Sequence, residues 1–363
     1  MMNITTGWIT LNSRCNNRCA WCYRGDQLDD RKELSDRQVF ELIDMFSELK
    51  VQSLIFIGGE PTLKSGLSTY VAAAKSKGIR EVTVVTNGRL LSNPRFVDQL
   101  RGSGLDIFSV SIHSINKEIH DTISGVPSWS QTYEGILNIL EAGGRCSVNI
   151  VAGKENYSTV TASAKHFVSL GVEAVVVTCA LTSYDKSVDE FDDEFSLDPK
   201  DFAILIEELS ETDPRIQIMH ELPLCLIPRN TLVKLLQNGK LGFGCHVGTG
   251  QGMCVNNDGH LVACNTMNFL DLGNLFGEDN HLVRNTGDIL KHWSVIQEDL
   301  RLEIDVYRSE HCKKCAFWPQ CKAGCPVVWG TREPSDYINS TLSNLSLERL
   351  GLTTKVAREG GDM

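Results

Sequence analysis

The chain has 363 residues, 42% hydrophobic and 22% charged, which is ordinary for a globular protein with one large and one smaller domain. The formal charge of −11 argues against a general nucleic-acid binder, for which a basic stripe is expected. The sequence has no apolar stretch of membrane-spanning length, so no membrane partner is expected. Thirteen cysteines without a secretory signal pattern indicate metal binding in a reducing compartment, so we expect a cytoplasmic protein.

Short apolar runs alternate with helical patterns along the first 220 residues. The first run, 8–11, ends just before a cysteine-rich loop, and Ser35 with Gln38 forms a capping box that starts a helix. Further strands are predicted at 54–57, 82–85, 107–112, 148–151 and 174–177. Further helices are predicted near 67–77, 94–100, 133–142 and 160–170. Helix-length crossovers imply parallel pairing, so the pattern predicts an α/β fold, a TIM-like partial (β/α)6 barrel that is open on one side.

The rest of the sequence changes character twice. The acidic segment 183–194 is typical of a surface loop, and a helix at 200–210 and a strand at 216–219 close the barrel. Beyond about residue 239 cysteine and glycine become dense and the alternation stops, which marks a domain boundary. We expect a barrel domain at 1–220, a connector at 221–240, a cysteine-rich domain at 241–336, and a helix and tail at 337–363.

The loop after the first strand carries Cys15, Cys19 and Cys22 with the spacing C-x3-C-x2-C. The C-terminal ends of barrel strands form the catalytic face of such folds. Three thiolates can hold three irons of a [4Fe–4S] cluster and leave the fourth iron open, as a catalytic site requires. The alternative is a zinc or iron knuckle without chemistry, but zinc sites usually use two ligand pairs and no second pair lies nearby.

The second predicted strand ends in Gly58-Gly59-Glu60-Pro61. Two glycines let a backbone approach a ligand closely, and a carboxylate can pair with a cationic amine. The alternative is a strand-to-helix turn with an exposed glutamate. This motif and the cysteine loop, with Trp21 before its third cysteine, resemble the signature of the radical S-adenosylmethionine (SAM) enzymes.

That resemblance implies the same partial barrel and a cluster whose open iron is chelated by the amino and carboxylate groups of SAM. It also implies that the Gly58–Pro61 element binds the SAM amino group. A reduced cluster then cleaves SAM to methionine and a 5′-deoxyadenosyl radical. These implied roles make Cys15, Cys19 and Cys22 the catalytic cluster ligands.

The resemblance assigns further cofactor contacts that are less specific. These are Trp21, Thr86 and Asn87 of a Thr-Asn-Gly turn, Ser111, Ser124 and Leu181. Ser124 stands where an arginine often helps to hold the SAM carboxylate, and His113 stands where an aspartate is usual. His113 is therefore either a catalytic residue facing the substrate or an ordinary surface or capping residue.

Seven more cysteines lie in the C-terminal region: Cys245, Cys254, Cys264, Cys312, Cys315, Cys321 and Cys325. Cys245 and Cys264 fit C-x13-G-x4-C through Gly259, and the last four read C-x2-C-x5-C-x3-C. Seven thiols exceed what one metal requires, and the alternative is a pair of structural zinc sites. The spacing resembles the SPASM extension of radical SAM enzymes, which holds two auxiliary [4Fe–4S] clusters.

By that resemblance, the first auxiliary cluster is held by Cys245, Cys254, Cys264 and Cys325, and the second by Cys312, Cys315 and Cys321. The usual eighth cysteine, beyond Cys325, is absent. The second cluster therefore has either an open iron or a non-thiolate ligand, for which Glu333 and Asp336 are the nearest acidic candidates. In all, the expected cofactors are three [4Fe–4S] clusters and SAM.

Three cysteines lie outside these sets. Cys146 and Cys179 flank predicted strands and are expected in the core. Cys225 lies at the domain junction and is either a packing residue or a possible catalytic residue that donates a hydrogen atom to a radical.

Auxiliary clusters favour a net oxidation, because they can take up an electron from a substrate radical. The resemblance therefore predicts oxidative modification of a peptide or protein, such as cross-linking of a ribosomal peptide. Formylglycine formation ranks lower. Asn265 stands where sulfatase-maturing relatives carry an aspartate that acts as the catalytic base, and an asparagine side chain cannot accept the proton in the same way. The alternatives are radical SAM chemistry on a sugar or amino-acid derivative, or a non-catalytic iron–sulfur carrier.

The expected partners follow from this reading. Only a handful of residues precede the first predicted strand, so we expect a precursor peptide or protein substrate to be recognised by the barrel, by the cysteine-rich domain or by a separate leader-binding protein. An external electron donor of the flavodoxin or ferredoxin type is also expected.

Overall fold

A computed structural model describes residues 3–24, 32–180, 183–185, 190–192, 194–219, 221–242, 245–306 and 310–330. Within these ranges no helix combines the length and apolar character that crossing a membrane requires. The predictions for Leu181, Glu333, Asp336 and the segment 337–363 concern residues outside these described ranges.

The described residues form strands and helices in alternation for most of the chain. The strands are β1 (Thr6–Thr10), β2 (Ser53–Ile57), β3 (Glu81–Thr86), β4 (Ile107–Ser111), β5 (Arg145–Ala152), β6 (Ala174–Cys179), β7 (Ser183–Asp185), β8 (Glu190–Asp192), β9 (Ile216–Met219), β10 (Leu241–Gly242), β11 (Gly252–Val255), β12 (His260–Val262) and β13 (Asp271–Asn274). The helices are α1 (Asp36–Glu48), α2 (Leu67–Ser76), α3 (Pro94–Gly102), α4 (Lys117–Ser124), α5 (Trp129–Glu141), α6 (Tyr157–Ser169), α7 (Pro199–Ser210), α8 (Arg229–Gln237), α9 (His246–Thr249), α10 (Thr286–Val306), α11 (Glu310–Lys313) and α12 (Trp318–Cys321).

The predicted α/β fold is confirmed. The six predicted strands are β1 to β6, and each pairs in parallel with the next along the chain. The capping box at the start of α1 is present, because the Ser35 hydroxyl accepts from the Gln38 N–H and the Gln38 side chain accepts from the Ser35 N–H. Parallel strands with helical crossovers are buried on both faces, and Ile9, Phe56 and Phe108 are fully buried accordingly.

Three details of the prediction are wrong. Part of the segment predicted as a surface loop, 183–194, forms an antiparallel ribbon of β7 and β8. Helix α4 was not predicted, because its short sequence offers few apolar positions, and α5 starts at Trp129 instead of near residue 133. The alternation also does not stop at residue 239, since β11 pairs in parallel with β1.

That last pairing places the two cysteine-rich regions side by side. The sheet runs in the order β10-β9-β6-β5-β4-β3-β2-β1-β11-β12-β13, with β1 between β2 and β11. Cys254 of β11 lies opposite Trp8 of β1, and β1 leads directly into the loop of Cys15 to Cys22. The domain division predicted around 221–240 stays a prediction, because β9, β10 and β11 belong to one continuous sheet.

A second, smaller core surrounds the C-terminal cysteines. Its buried apolar side chains include Val247, Met267, Phe269, Trp318 and Val327, with Cys245, Cys264 and Cys325 packed against them. Each fully buried side chain of this size contributes about 1.5–3 kcal/mol of burial free energy. The cysteines therefore lie on a packed base and not in a free loop.

Candidate active site

The loop of Cys15, Cys19 and Cys22 is held by the end of α4. The Arg18 N–H donates to the Ser124 carbonyl at 2.8 Å, and the Ala20 N–H donates to the Ile123 carbonyl at 2.9 Å. The last carbonyls of a helix lack partners within the helix, so they are free to bind a neighbouring loop. On the other side, the Arg89 guanidinium donates to the Asn16 carbonyl and, at 3.2 Å, to Asn17 Oδ1.

Two thiols of this loop, those of Cys15 and Cys19, are costly to ionise without a cation. Burial first, and then the charges of Glu60 and Cys22, raises the pKa of Cys15 to about 11, although N–H donation from Asn17 lowers it. Burial and the two neighbouring thiols raise the pKa of Cys19 still further. Thiolates are the metal-binding form of cysteine, and a bound cation stabilises them. The donor set therefore fits an iron–sulfur cluster.

Gly59 brings the end of β2 against the cysteine loop. A Cβ on Gly59 would lie 2.2 Å from the Ser13 carbonyl oxygen and 2.4 Å from the Arg14 carbonyl oxygen. The Glu60 N–H donates to that Arg14 carbonyl at 2.7 Å. Only glycine allows the backbone after β2 to lie this close to the backbone of Ser13 and Arg14, the two residues before Cys15.

We expect Gly59→Ala to lower the free energy of unfolding by about 2–3 kcal/mol, because backbone atoms and not a mobile side chain meet the added methyl group. Cluster loading should fall with it. The matched control is Gly102→Ala at the end of α3, where no atom lies within 4 Å of an added Cβ. Urea unfolding measures both variants, and a Gly59→Ala protein as stable as Gly102→Ala would contradict the close approach.

Glu60 is buried, with 1% of its surface exposed, so the alternative of an exposed turn glutamate is wrong. Its Oε1 accepts from the Thr62 N–H, the Thr62 hydroxyl and the Thr86 hydroxyl. Its Oε2 accepts from the Asn87 N–H at 2.8 Å. Burial raises the pKa of Glu60, while these donors act against that shift. Three donors occupy Oε1, which leaves Oε2 as the oxygen to receive a ligand amine.

Glu60→Gln should raise the dissociation constant of SAM about tenfold or more, since the amide cannot form a charge-assisted bond to an ammonium group. The side-chain NH2 group of the glutamine would also face the N–H and O–H donors that now bond to the Glu60 carboxylate. Because two donors cannot bond to each other, this should lower the free energy of unfolding by about 1–3 kcal/mol. Calorimetric titration of SAM into reconstituted protein, with iron content checked first, measures the affinity. Thr62→Val is the control, because it removes one donor and keeps the carboxylate. SAM binding as tight in Glu60→Gln as in Thr62→Val would contradict the assignment.

The Thr-Asn-Gly turn after β3 joins Glu60 to the cysteine loop. Thr86 and Asn87 donate to the Glu60 carboxylate, and the Asn87 side-chain amide lies 3.9 Å from Cys15 Sγ and 2.6 Å from Asn16 Oδ1. Gly88 has φ of +75°, a left-handed conformation that favours glycine. Two separate sequence motifs thus meet in one hydrogen-bonded group.

These elements surround a cavity of about 300 Å³ at the carboxyl ends of the strands. Its described lining includes the three cysteines of the loop and the predicted residues Trp21, Gly58, Gly59, Glu60, Thr86, Asn87, Ser111 and His113. It also includes Tyr23, Arg24, Glu221 and Thr266, which the sequence did not single out, and Cys179, which was expected in the core and is buried.

Two residues predicted to contact the cofactor, Pro61 and Ser124, are not among the described residues that line the cavity. Pro61 is buried at the start of a short 3₁₀ turn. The Ser124 hydroxyl donates to the His120 carbonyl at 2.8 Å and lies 2.8 Å from the Ser128 hydroxyl, so it is bonded around the end of α4. Ser124 therefore supports the cysteine loop through its backbone carbonyl.

His113 is a buried, neutral residue and not a surface residue. It is 5% exposed, and burial, with the charge of His120, lowers its pKa to about 3. Its Nδ1 accepts from the Val151 N–H at 3.4 Å, and its ring meets Trp21 edge to face, with ring centres 5.2 Å apart. This environment disfavours proton uptake at neutral pH, so His113 positions Trp21 more readily than it acts as a base.

The four cysteines predicted for the first auxiliary cluster are close in space. Cys245, at the start of α9, accepts from the Gly248 N–H at 3.3 Å, and Cys254 accepts from the Asn265 N–H. The pKa of Cys325 is raised well above its ordinary value by burial first and then by Cys264 and Cys245. Cys264 likewise raises the pKa of Cys254. The structure therefore brings Cys245, Cys254, Cys264 and Cys325 together.

The second predicted set forms a separate group on α11, α12 and the turn between them. The Cys315 N–H donates to the Cys312 carbonyl at 3.1 Å, and both of these thiols contribute to raising the pKa of Cys321. Lys322, Ala323 and Gly324 all have positive φ, so a left-handed turn separates Cys321 from Cys325. Among the described residues, no three His, Cys, Asp or Glu side chains are grouped closely enough for a single metal ion.

Arg24 and Glu221 are the main residues that sequence reasoning missed. Arg24 is buried, and its guanidinium donates to Asn256 Oδ1 at 3.0 Å and Asn257 Oδ1 at 2.6 Å, in the turn after β11. Glu221 accepts from the Cys179 N–H at 2.5 Å, and burial raises its pKa to about 8. An arginine two positions after Cys22 was a local signal, but nothing in the sequence linked Glu221 to β6.

Residues 9–167 match the sequence profile of the radical SAM superfamily, so this part of the chain is a radical SAM domain. Such a domain implies one SAM-binding [4Fe–4S] cluster and SAM as cofactors.

Two curated relatives carry the same name, "Probable GTP 3′,8-cyclase". The protein of Sulfurisphaera tokodaii is 32% identical over 46% of this chain and 52% of its own length. This chain thus spans about half of that relative. The protein of Saccharolobus islandicus is 27% identical over 82% of this chain and 89% of its own length.

Two solved structures resemble the fold more completely. Streptococcus suis SuiB bound to precursor peptide SuiA has a TM-score of 0.68 and 16% identity over 95% of this chain and 77% of its own. Native anSMEcpe with bound AdoMet and Kp18Cys peptide has a TM-score of 0.64 and 17% identity over 97% of this chain and 96% of its own. At such low identity the likeness shows a shared fold.

Proposed function

From the radical SAM domain, which makes this chain an enzyme, we propose that the protein oxidises a C–H position of a peptide or protein substrate. We further propose that its C-terminal cysteines hold two auxiliary iron–sulfur clusters of the SPASM type. The observation that carries this proposal is the position of Tyr23, which lines the cavity next to Cys22 and lies within electrostatic range of Cys254 and Cys264. These two thiols belong to the first C-terminal thiol group, which consists of Cys245, Cys254, Cys264 and Cys325.

Tyr23 follows Cys22 directly, lines the cavity and is half-buried. Burial raises its pKa, Arg24 lowers it, and Cys22, Cys254 and Cys264 raise it again. One aromatic side chain is therefore near thiols of both regions. This arrangement suits a reaction in which an electron leaves a substrate in the cavity and passes to the C-terminal domain.

In this proposal Cys15, Cys19 and Cys22 hold the first cluster, and Glu60 receives the SAM ammonium group. When bound, the first cluster and SAM supply a 5′-deoxyadenosyl radical that removes a hydrogen atom, and the auxiliary clusters supply an electron acceptor. In total the substrate loses one hydrogen atom from the C–H bond, one electron to the auxiliary clusters, and one proton from the X–H bond of a nucleophilic group of the same substrate. That group then bonds to the carbon. The proton requires a base in the cavity.

Glu221 is the residue proposed as that base. Together with Glu60 it supplies the two carboxylates of the described cavity lining, and Glu60 is already bonded to four donors. Asn265 occupies the position at which relatives carry an aspartate that acts as a base, and its backbone N–H donates a hydrogen bond to the Cys254 thiol. Glu221 thus offers a proton acceptor that Asn265 cannot.

The charge of the cavity supports a peptide in preference to a nucleoside triphosphate. Its described lining contains two carboxylates and one guanidinium, that of Arg24, while His113 is neutral. A triphosphate normally needs several cations or a metal ion to compensate its charge. Both selected solved neighbours also hold peptides.

A nucleotide is the second candidate. It is favoured by the name of the two curated relatives and by Arg24, a buried cation whose Nε has no partner among the described residues. Formylglycine-type maturation and oxidation of a sugar or amino-acid derivative would need the same cavity groups, but no described contact favours them.

The test compares the two substrate classes directly. Anaerobically reconstituted enzyme is incubated with SAM and dithionite, together with either GTP or a pool of unstructured 15-residue peptides that covers every side-chain type. We expect SAM cleavage to rise with the peptides and specific peptides to lose 2 Da, as the loss of two hydrogens requires. Conversion of GTP with every peptide mass unchanged would contradict the proposal. Replacing dithionite with flavodoxin or ferredoxin tests the expected electron donor.

A further inference from the structure

The second C-terminal thiol group has three members on its own segment. Cys312, Cys315 and Cys321 would hold three irons of a cluster and leave the fourth without a protein ligand. The two acidic candidates downstream lie outside the described residues. A fourth protein ligand among the described residues would have to come from another part of the chain that contacts this group.

One such part is the segment from Glu221 to Cys225, which follows β9. The Cys325 N–H donates to the Glu221 carbonyl at 2.7 Å, and the Leu224 N–H donates to Cys321 Sγ at 3.4 Å. A Cβ on Gly324 would lie 2.6 Å from the Glu221 carbonyl oxygen. The two backbones are thus in direct contact along the turn between Cys321 and Cys325.

Cys225 follows Leu224 in the 3₁₀ helix Leu224–Leu226. The adjoining Leu224 N–H bond to Cys321 Sγ places Cys225 one residue from a member of the second group, and the thiols whose charges act on Cys225 are Cys321, Cys312 and Cys315. The thiols whose charges act on Cys325 are instead Cys264 and Cys245 of the first predicted set. Cys225 therefore belongs spatially with the second group.

Other cysteines outside the two groups do not share this position. Cys146 is buried in β5, and Cys179 is buried at the end of β6 beside Glu221. Cys225 is exposed at the edge of the 3₁₀ helix and is not part of the described cavity lining. That position argues against its role as a hydrogen-atom donor to a substrate in the cavity.

We propose that Cys225 is the fourth protein ligand of the second auxiliary cluster, completing a set with Cys312, Cys315 and Cys321. This inference rests on the proposed function, which supplies the cluster. The set then consists of four thiolates, three from one segment and one from the chain before the C-terminal domain. A fully thiolate-bound cluster has no open iron, so it serves electron transfer and not substrate binding.

The test uses the Cys15/Cys19/Cys22→Ala protein, so that only the C-terminal cysteines can load iron. After anaerobic reconstitution this protein should contain about eight irons per chain. Adding Cys225→Ala should remove about one to four of these and change the electron paramagnetic resonance spectrum of one cluster. Cys146→Ala in the same background is the control and should leave both unchanged. Eight irons with an unaltered spectrum in the Cys225→Ala protein would overturn the inference.

A second measurement on otherwise wild-type protein does not depend on how the variant folds. Iodoacetamide labelling followed by mass spectrometry should show Cys225 protected at least tenfold in cluster-loaded protein relative to chelator-stripped protein. Full labelling of Cys225 in a protein that retains all its iron would overturn the ligand assignment alone. Absence of iron from the C-terminal cysteines, in contrast, would overturn the proposed function itself.

Discussion

Replacing Cys15, Cys19 and Cys22 together with alanine is expected to abolish SAM cleavage, with a loss of at least about 10³-fold under dithionite. These thiols line the cavity that contains Glu60, and no other described cysteine of the N-terminal loop could replace them. The variant should remain folded, because the loop is held by backbone bonds to α4 and by Arg89, none of which involves a thiol donor. Production of 5′-deoxyadenosine, measured by liquid chromatography, gives the rate.

Cys146→Ala provides the matched control for this loss. Cys146 is buried in β5, outside the described cavity lining, so its removal should reduce stability slightly and leave SAM cleavage within about threefold of wild type. If the triple variant cleaved SAM at a rate close to that of Cys146→Ala, the cysteine loop would not be the site of the chemistry.

Glu221→Gln is expected to reduce product formation by about 10²–10⁴-fold, the usual range for loss of a general base. The amide oxygen can still accept from the Cys179 N–H, and the Glu221 carbonyl keeps its bond from the Cys325 N–H. The substitution therefore removes a proton acceptor and little else. SAM cleavage without a finished product should persist, so the ratio of 5′-deoxyadenosine to product should rise.

The control for this variant is Glu207→Gln, on the exposed face of α7. It makes the same chemical change away from the cavity and should leave the ratio of 5′-deoxyadenosine to product unchanged. Equal ratios in Glu221→Gln and Glu207→Gln would remove Glu221 from the reaction and leave the identity of the base open to another residue.

The order of strands and helices could be predicted because the signals are local. Each of the runs that became β1 to β6 is apolar and short, and the capping box of Ser35 and Gln38 spans only three residues. Helix α4 was not predicted, because it is short and its sequence has few apolar positions. The pairing of β1 with β11 joins residues about 250 positions apart, and no local pattern specifies such a pairing.

The candidate site follows the same rule. Cys15, Glu60 and Asn87 were predicted from short motifs, and the structure brings them into one hydrogen-bonded group. Ser124 was predicted to contact SAM from its position in a motif alone. In the structure its hydroxyl donates to the His120 carbonyl within α4 and does not line the cavity. Glu221 and Cys225 precede the C-terminal cysteines in sequence, and only folding places their segment against Cys321 and Cys325.

The most direct test of the account is the iron and sulfide content per chain after anaerobic reconstitution. We expect about twelve irons in the wild-type protein and about eight in the Cys15/Cys19/Cys22→Ala protein, as three clusters require. A wild-type value near four that vanishes in the variant would contradict the account. The C-terminal cysteines would then hold another metal or none, and the case for an oxidation would fall with them.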